Sequence, residues 1–133
     1  MKVYIAGPMT YIPQFNIPAF DHAAGDLRDR GHEVISPAEL DDPWVREREL
    51  ASPDGAPERD LFGPWGDFLA RDVRLLANDG IEAIYVLPGW EKSKGARLET
   101  FVGYLCGLSI ISYVTGTLVP VPELAAAWVG LNG

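Results

Sequence analysis

Apolar and polar positions along this chain alternate in blocks with two different periods. The run "KVYIAGP" (2–8) is short and apolar and closes on Gly7-Pro8, which predicts a buried strand feeding a turn. In "NIPAFDHAAGDLRDRG" (16–31) the apolar residues Phe20, Ala23, Ala24 and Leu27 fall at helical spacing, with Pro18 in the first turn and Gly31 as the stop. "HEVISP" (32–37) reads as a second strand. Strand, helix, strand is the repeating unit of a parallel α/β sheet.

Residues 37–66 break this rhythm with four prolines after Pro37, three glycines and many acids. "WVREREL" (44–50) has room for one or two helical turns. A loop of this length reads as a lid, an oligomer contact or a plain insertion. Helical spacing resumes from Asp67 with Phe68, Leu69, Val73 and Leu76, and "EAIYVLP" (82–88) reads as the third strand. The helix expected over 94–108 carries Leu98, Phe101, Val102, Leu105 and Cys106 as one apolar stripe, which is expected to face the sheet. "SIISYV" (109–114) is the fourth strand and "PVPELAAAWVGL" (120–131) a terminal helix with a proline start. These elements predict an α/β fold: one domain over 1–133 with a doubly wound, flavodoxin- or Rossmann-like parallel sheet of four to five strands.

Composition narrows the function classes. With 47% apolar and 23% charged residues the chain has the profile of a globular domain rather than a disordered one. A net charge of −8 argues against a nucleic-acid polymer as partner, because phosphate-backbone binding relies on a basic surface. It leaves room for a small phosphorylated ligand held by a few amides. Cys106 is the only cysteine, and beside Leu105 and Leu108 it reads as a buried thiol in a reducing compartment. Neither a signal-peptide pattern nor an apolar run of about 18 residues is present, so no membrane partner and a cytoplasmic location are expected.

In a doubly wound sheet, ligands bind outside the carboxyl ends of the strands, where strand order reverses. Two junctions of unusual composition, "AGPMTYIPQFN" (6–16) and "PGWEKSKGARLE" (88–99), are expected to open on that edge and wall one cleft. Glu99 follows Leu98 by about 100° of helix, at the margin of the expected buried face. Its neighbours Gly95, Ala96 and Gly103 leave room for a ligand or for another helix. Ser93 reads either as a helix N-cap or, with the Gly95 backbone, as part of an anion site, and Lys92 and Lys94 either assist it or are simply solvated. Tyr4 is a core aromatic or a site residue. Asp72 either pairs with Arg71 or Arg74 or belongs to the site. Trp90 either stacks on a planar base or anchors its loop. His22 and His32 lack metal-ligand spacing, so no metal is expected. No G-x-S-x-G, Walker A or G-x-G-x-x-G pattern is present.

The segments "VYIAGPMT", "FDHAAGDLRDRGHEVISPAEL", "RDVRLL" and "LPGWEKSKGARLE" together resemble the nucleoside 2-deoxyribosyltransferase-like superfamily, and most of all its small phage and bacterial branch, over roughly residues 2–112. Members cleave N-glycosidic bonds of nucleosides or nucleotides. The resemblance implies Glu99 as the active-site carboxylate, Tyr4 as the residue that positions it, and Asp72 as the group that moves a proton to the base. The transferases typically carry an aspartate six residues before the glutamate, where the nucleotide N-hydrolases carry a serine. Ser93 is of the serine type, and a hydroxyl at a helix N-terminus suits phosphate better than a carboxylate does.

The implied substrate is a nucleoside 5′-monophosphate, with no cofactor. Ser93 and Gly95 would meet the phosphate, and Met9, Phe15 and Trp90 would wall the base or sugar, with Gly7 and Asn16 in the same first junction. The alternatives are 2-deoxyribosyl transfer to a second base, NAD-glycohydrolysis, and nucleotide binding without catalysis. The nucleotide N-hydrolases' glycine-rich stretch after strand one is replaced here by "GPMTYIPQFN", and the 37–66 insertion is this chain's own, so the resemblance names neither the base nor the whole of the phosphate site, and leaves ribose against deoxyribose open. A homo-oligomer, dimer or tetramer, is also implied by the resemblance.

Overall fold

Alternation along the first strand sets the layers of the computed structural model, which describes residues 1–58 and 62–129. In β1 (Lys2–Ala6), Val3 and Ile5 turn to one face of the sheet and pack against Phe20, Ala23 and Leu27 of α1 (Ile17–Asp29). Tyr4 and Ala6 turn to the other face. There they share a core with Leu76 of α3 (Trp65–Asn78), Ala96 of α4 (Lys94–Leu105) and Leu124 of α5 (Val121–Val129). With β2 (Glu33–Ile35), β3 (Ala83–Val86) and β4 (Ser109–Ser112) the sheet has four strands, all parallel, in the order β2-β1-β3-β4. Helices on both faces make it a doubly wound α/β fold, as expected.

The chain leaves β1 for β2 on one side and reaches β3 on the other, so strand order reverses at the carboxyl ends of β1 and β3. The register Tyr4↔Ile84 and Ala6↔Val86, extended by Leu87 N–H donating to Ala6 O at 2.9 Å, keeps the two junctions level. Both therefore open on the same edge.

Helix α4 corrects two expectations. Its buried face is Ala96, Glu99, Thr100 and Gly103, not the apolar stripe. Gly103 explains the choice: a Cβ there would lie 2.4 Å from Ile84 Cδ1, so the helix approaches β3 more closely than any side chain permits. Phe101, Tyr104 and Leu105 are exposed, although the first two meet Trp128 of α5 at ring-centroid distances of 5.3 and 5.2 Å. Cys106, expected to be buried, is exposed just beyond the end of the helix.

The 37–66 insertion contains α2 (Pro43–Leu50), two turns long, with Val45 and Glu49 as its buried residues. It is docked. Arg46 pairs with Asp21 of α1 and donates to Ala38 O at 2.6 Å. Tyr11 N–H donates to Gly55 O at 2.8 Å, Gln14 N–H to Ser52 O at 2.9 Å, and Gln14 Nε2 to Leu50 O at 3.1 Å. Gly55 has φ +68°, and a Cβ there would sit 2.1 Å from Ile12 O. The junction segment held in this way is unusual, since Gln14, Phe15 and Asn16 all have left-handed backbones, φ 58°, 51° and 59°. Among the described residues no helix is long and apolar enough to cross a membrane.

Candidate active site

The two junctions and the insertion enclose a pocket of about 570 Å³ above the carboxyl ends of β1 and β3. Its floor is Glu99, brought there by the close approach of α4 to the sheet and only 5% exposed. The Tyr4 hydroxyl, wholly buried in mid-β1, donates a hydrogen bond to Glu99 Oε2. Strand period explains the meeting: Tyr4 faces the side of the sheet that α3 and α4 cover. From α3, Asp72 comes to the same point, 9% exposed and also lining the pocket. Arg71 Nε donates to Asp72 Oδ1 at 3.0 Å, and Arg71 Nη1 to Asp41 Oδ1 of the insertion at 2.8 Å.

Burial, followed by the neighbouring Asp72, raises the Glu99 carboxyl well above its ordinary range, against the pull of the Tyr4 hydroxyl. Asp72 is also raised by burial, with Arg71 pulling the other way. Burial and the two adjacent carboxyls hold Tyr4 well above 10, so it remains a donor. Two buried carboxyls side by side hold a proton more readily than free ones do, a condition suited to acid–base work.

Ser93 caps α4: its Oγ accepts from Ala96 N–H at 3.2 Å. It also lines the pocket, together with Gly95 and the exposed Lys92 and Lys94, so the cap and the pocket rim are the same place. Gly7, Met9 and Phe15 line the pocket too. Asn16 does not; its Nδ2 donates to Pro8 O at 2.9 Å and ties the first junction together. Trp90 is likewise absent from the lining. It is 8% exposed, in the core cluster that contains Tyr4 and Ala96, and it anchors its loop from beneath.

Sequence reasoning passed over Asp41 and Glu49. Both line the pocket from the insertion, and Glu49 is 7% exposed. Burial first, then the adjoining Asp41, raises the Glu49 carboxyl to about 8, while Arg71 and Arg46 oppose the rise. One signal was available. Val45 and Glu49 stand four apart in "WVREREL", so the face that buries the valine buries the glutamate as well.

Among the described residues no group of three or more His, Cys, Asp or Glu side chains is arranged to hold a metal ion. No curated protein and no solved structure shows a significant match to the chain. Residues 1–112 match the family described as Domain of unknown function (DUF4406), and the chain belongs to that family.

Proposed function

We propose that this protein is an N-glycosidase that releases the base from a nucleoside 5′-monophosphate, as its resemblance to the nucleoside 2-deoxyribosyltransferase-like superfamily implies. The observation that carries this reading is the Tyr4–Glu99–Asp72 cluster, buried on the floor of a pocket whose rim is a serine-capped helix N-terminus. Six residues at about 1.5 Å rise put Ser93 and Glu99 roughly 9 Å apart along α4, suited to phosphate at one end and the sugar at the other. Lys92 and Lys94 favour an anion at that rim. The location follows the reading: a nucleotide-processing enzyme of the cytoplasm.

In the mechanism, Asp72 gives a proton to the departing base nitrogen as the glycosidic C–N bond breaks. The Glu99 carboxylate then forms the bond to the anomeric carbon, with Tyr4 holding its Oε2 in line. Water attacks the same carbon in the second step, surrenders its proton to Asp72, and releases Glu99, so configuration is retained as in two-carboxylate glycosidases. Positive charge that develops on the sugar sits over a site rich in carboxyls. Phosphate binding at the rim supplies remote binding energy to bond breaking.

The test is chromatographic detection of free base from ribo- and deoxyribonucleoside 5′-monophosphates, with matching nucleosides, NAD and an added second base as further arms. Wild type, Glu99→Ala and Asp72→Asn run in parallel. Base from monophosphates alone, abolished by Glu99→Ala and lowered about 10²- to 10⁴-fold by Asp72→Asn, is the expected result. New nucleoside formed only with the second base would make it a transferase, and nicotinamide from NAD a glycohydrolase. Tight nucleotide binding with no product in any arm would overturn catalysis altogether.

A further inference from the structure

The inner wall of the pocket carries a charge pattern that the glycosidase reading leaves unused. Asp41, Glu49, Asp72 and Glu99 line it, while Arg71 is turned onto Asp41 and Asp72, and a fifth lining carboxyl, the exposed Glu58, is paired with Arg48. Lys92 and Lys94 line the same pocket beside Ser93 at the opposite end of the Glu99 helix. A ligand that satisfies both ends is polarised: anionic at the rim, rich in N–H donors within.

Glu49 sharpens this requirement. Its Oε1 is fully buried, yet meets no hydrogen-bond donor among the described residues. Leaving such an acceptor unpaired is costly, so a ligand that brings a donor to it gains what one bringing a carbonyl oxygen does not. The carboxyl beside it, Asp41, is 6% exposed in its side chain and also presents oxygen. Burial and Asp41 raise the Glu49 carboxyl to about 8, and a carboxyl that shares its proton with a neighbour still carries an oxygen able to accept.

We propose that Glu49, flanked by Asp41, reads the base of the substrate and selects bases bearing an exocyclic amino group, cytosine and adenine, over their keto counterparts. This rests on the nucleotide reading of the same site. With phosphate at Ser93 and the sugar over Glu99, the base extends past Asp72 and Arg71 toward the insertion that carries Asp41 and Glu49. An amino group directed at this wall finds an acceptor. A keto oxygen in the same place meets carboxyl oxygens, and both it and Glu49 stay unpaired.

The experiment compares matched pairs, cytidine against uridine monophosphate and adenosine against inosine monophosphate, on wild type and Glu49→Gln. Calorimetry gives Kd for each, and kcat/KM replaces it wherever base is released. The expected result is an amino preference of about 10- to 100-fold in wild type, reduced to roughly threefold or less in Glu49→Gln, whose carboxamide can turn its NH2 to a keto oxygen. Equal or reversed preference in wild type, a preference that Glu49→Gln leaves intact, or no binding of any of the four overturns the proposal. The wild-type comparison stands whether or not the variant folds. Amino-selective binding without base release supports base reading while refuting hydrolysis, so the two failures are distinguishable.

Discussion

Glu49→Gln should remove the pH dependence that one buried carboxyl imposes on folding. An unfolded glutamate titrates at its ordinary 4.5, whereas in the folded chain burial first, and then Asp41, lifts Glu49 to about 8. Between these values the folded state binds the extra proton, so stability falls as pH rises from 4.5 to 8 and levels off above that. At about 1.4 kcal/mol for each tenfold change in proton affinity, the loss comes to about 5 kcal/mol. Glutamine has the same shape and does not ionise.

The stability difference, variant minus wild type, should therefore be smallest near pH 4.5 and grow by about 3–5 kcal/mol by pH 9. Glu99 and Asp72 also titrate high, but they do so in both proteins and cancel in the difference. Urea denaturation at five pH values between 5 and 9 measures it. Thermal melts should show the midpoints separating by roughly 10–15 °C over the same range. A difference that stays flat within about 0.5 kcal/mol, or that closes as pH rises, would falsify the placement of Glu49 as a buried acid beside Asp41.

Tyr4→Phe removes the one hydroxyl that donates to Glu99, so the Glu99 carboxyl should rise further and base release should slow by about 10- to 100-fold with its pH profile moved to higher pH; an unmoved profile would contradict the role given to Tyr4. Gly103→Ala brings a Cβ to 2.4 Å from Ile84 Cδ1 and should cost about 1–3 kcal/mol in urea denaturation. Adding Ile84→Val removes that methyl and should recover part of the loss, and a double mutant no better than strict additivity would count against the contact. In Gly55→Ala a Cβ is forced against Ile12 O at a positive φ, so limited proteolysis should cut near residues 50–58 and nucleotide affinity should fall several-fold.

Periodicity made the sheet legible. Each strand of three to five residues fell within a run whose apolar character and flanking turn residues marked it, and the order of strands and helices then limited the topology to a doubly wound sheet. The inner face of α4 was illegible for a definite reason. Helices are read by their large apolar residues, and here those lie outward, while alanine, threonine and glycine make the close contact with β3. Glu99 was therefore expected at the margin of the buried face and stands within it.

Trp90 shows the opposite ambiguity. Its loop position suited a stacking platform equally well, and only the packed structure reveals the indole beneath the loop. Asp41 and Glu49 reach the pocket through the fold of an insertion, a long-range placement that local pattern does not encode. Tyr4, Asp72, and Ser93 with Glu99, from three separate segments, do converge.

The left-handed run at Gln14–Asn16 has a consequence for binding. At about 1–2 kcal/mol for each non-glycine residue, three in succession are costly, with Asn16 the most tolerant of them. What offsets the cost is the bonding of Gln14 to Leu50 and Ser52, with Tyr11 just before it held to Gly55. Detachment of the insertion would let the segment relax, so the two should open as one cooperative unit with a single free energy of exposure. On the proposed reading, a nucleotide seated between Phe15 and Glu49 would bridge both halves of that unit. Its observed affinity would then be the intrinsic affinity scaled by the fraction of molecules in which the unit is closed, so sequence changes in the insertion would tune binding without touching the ligand.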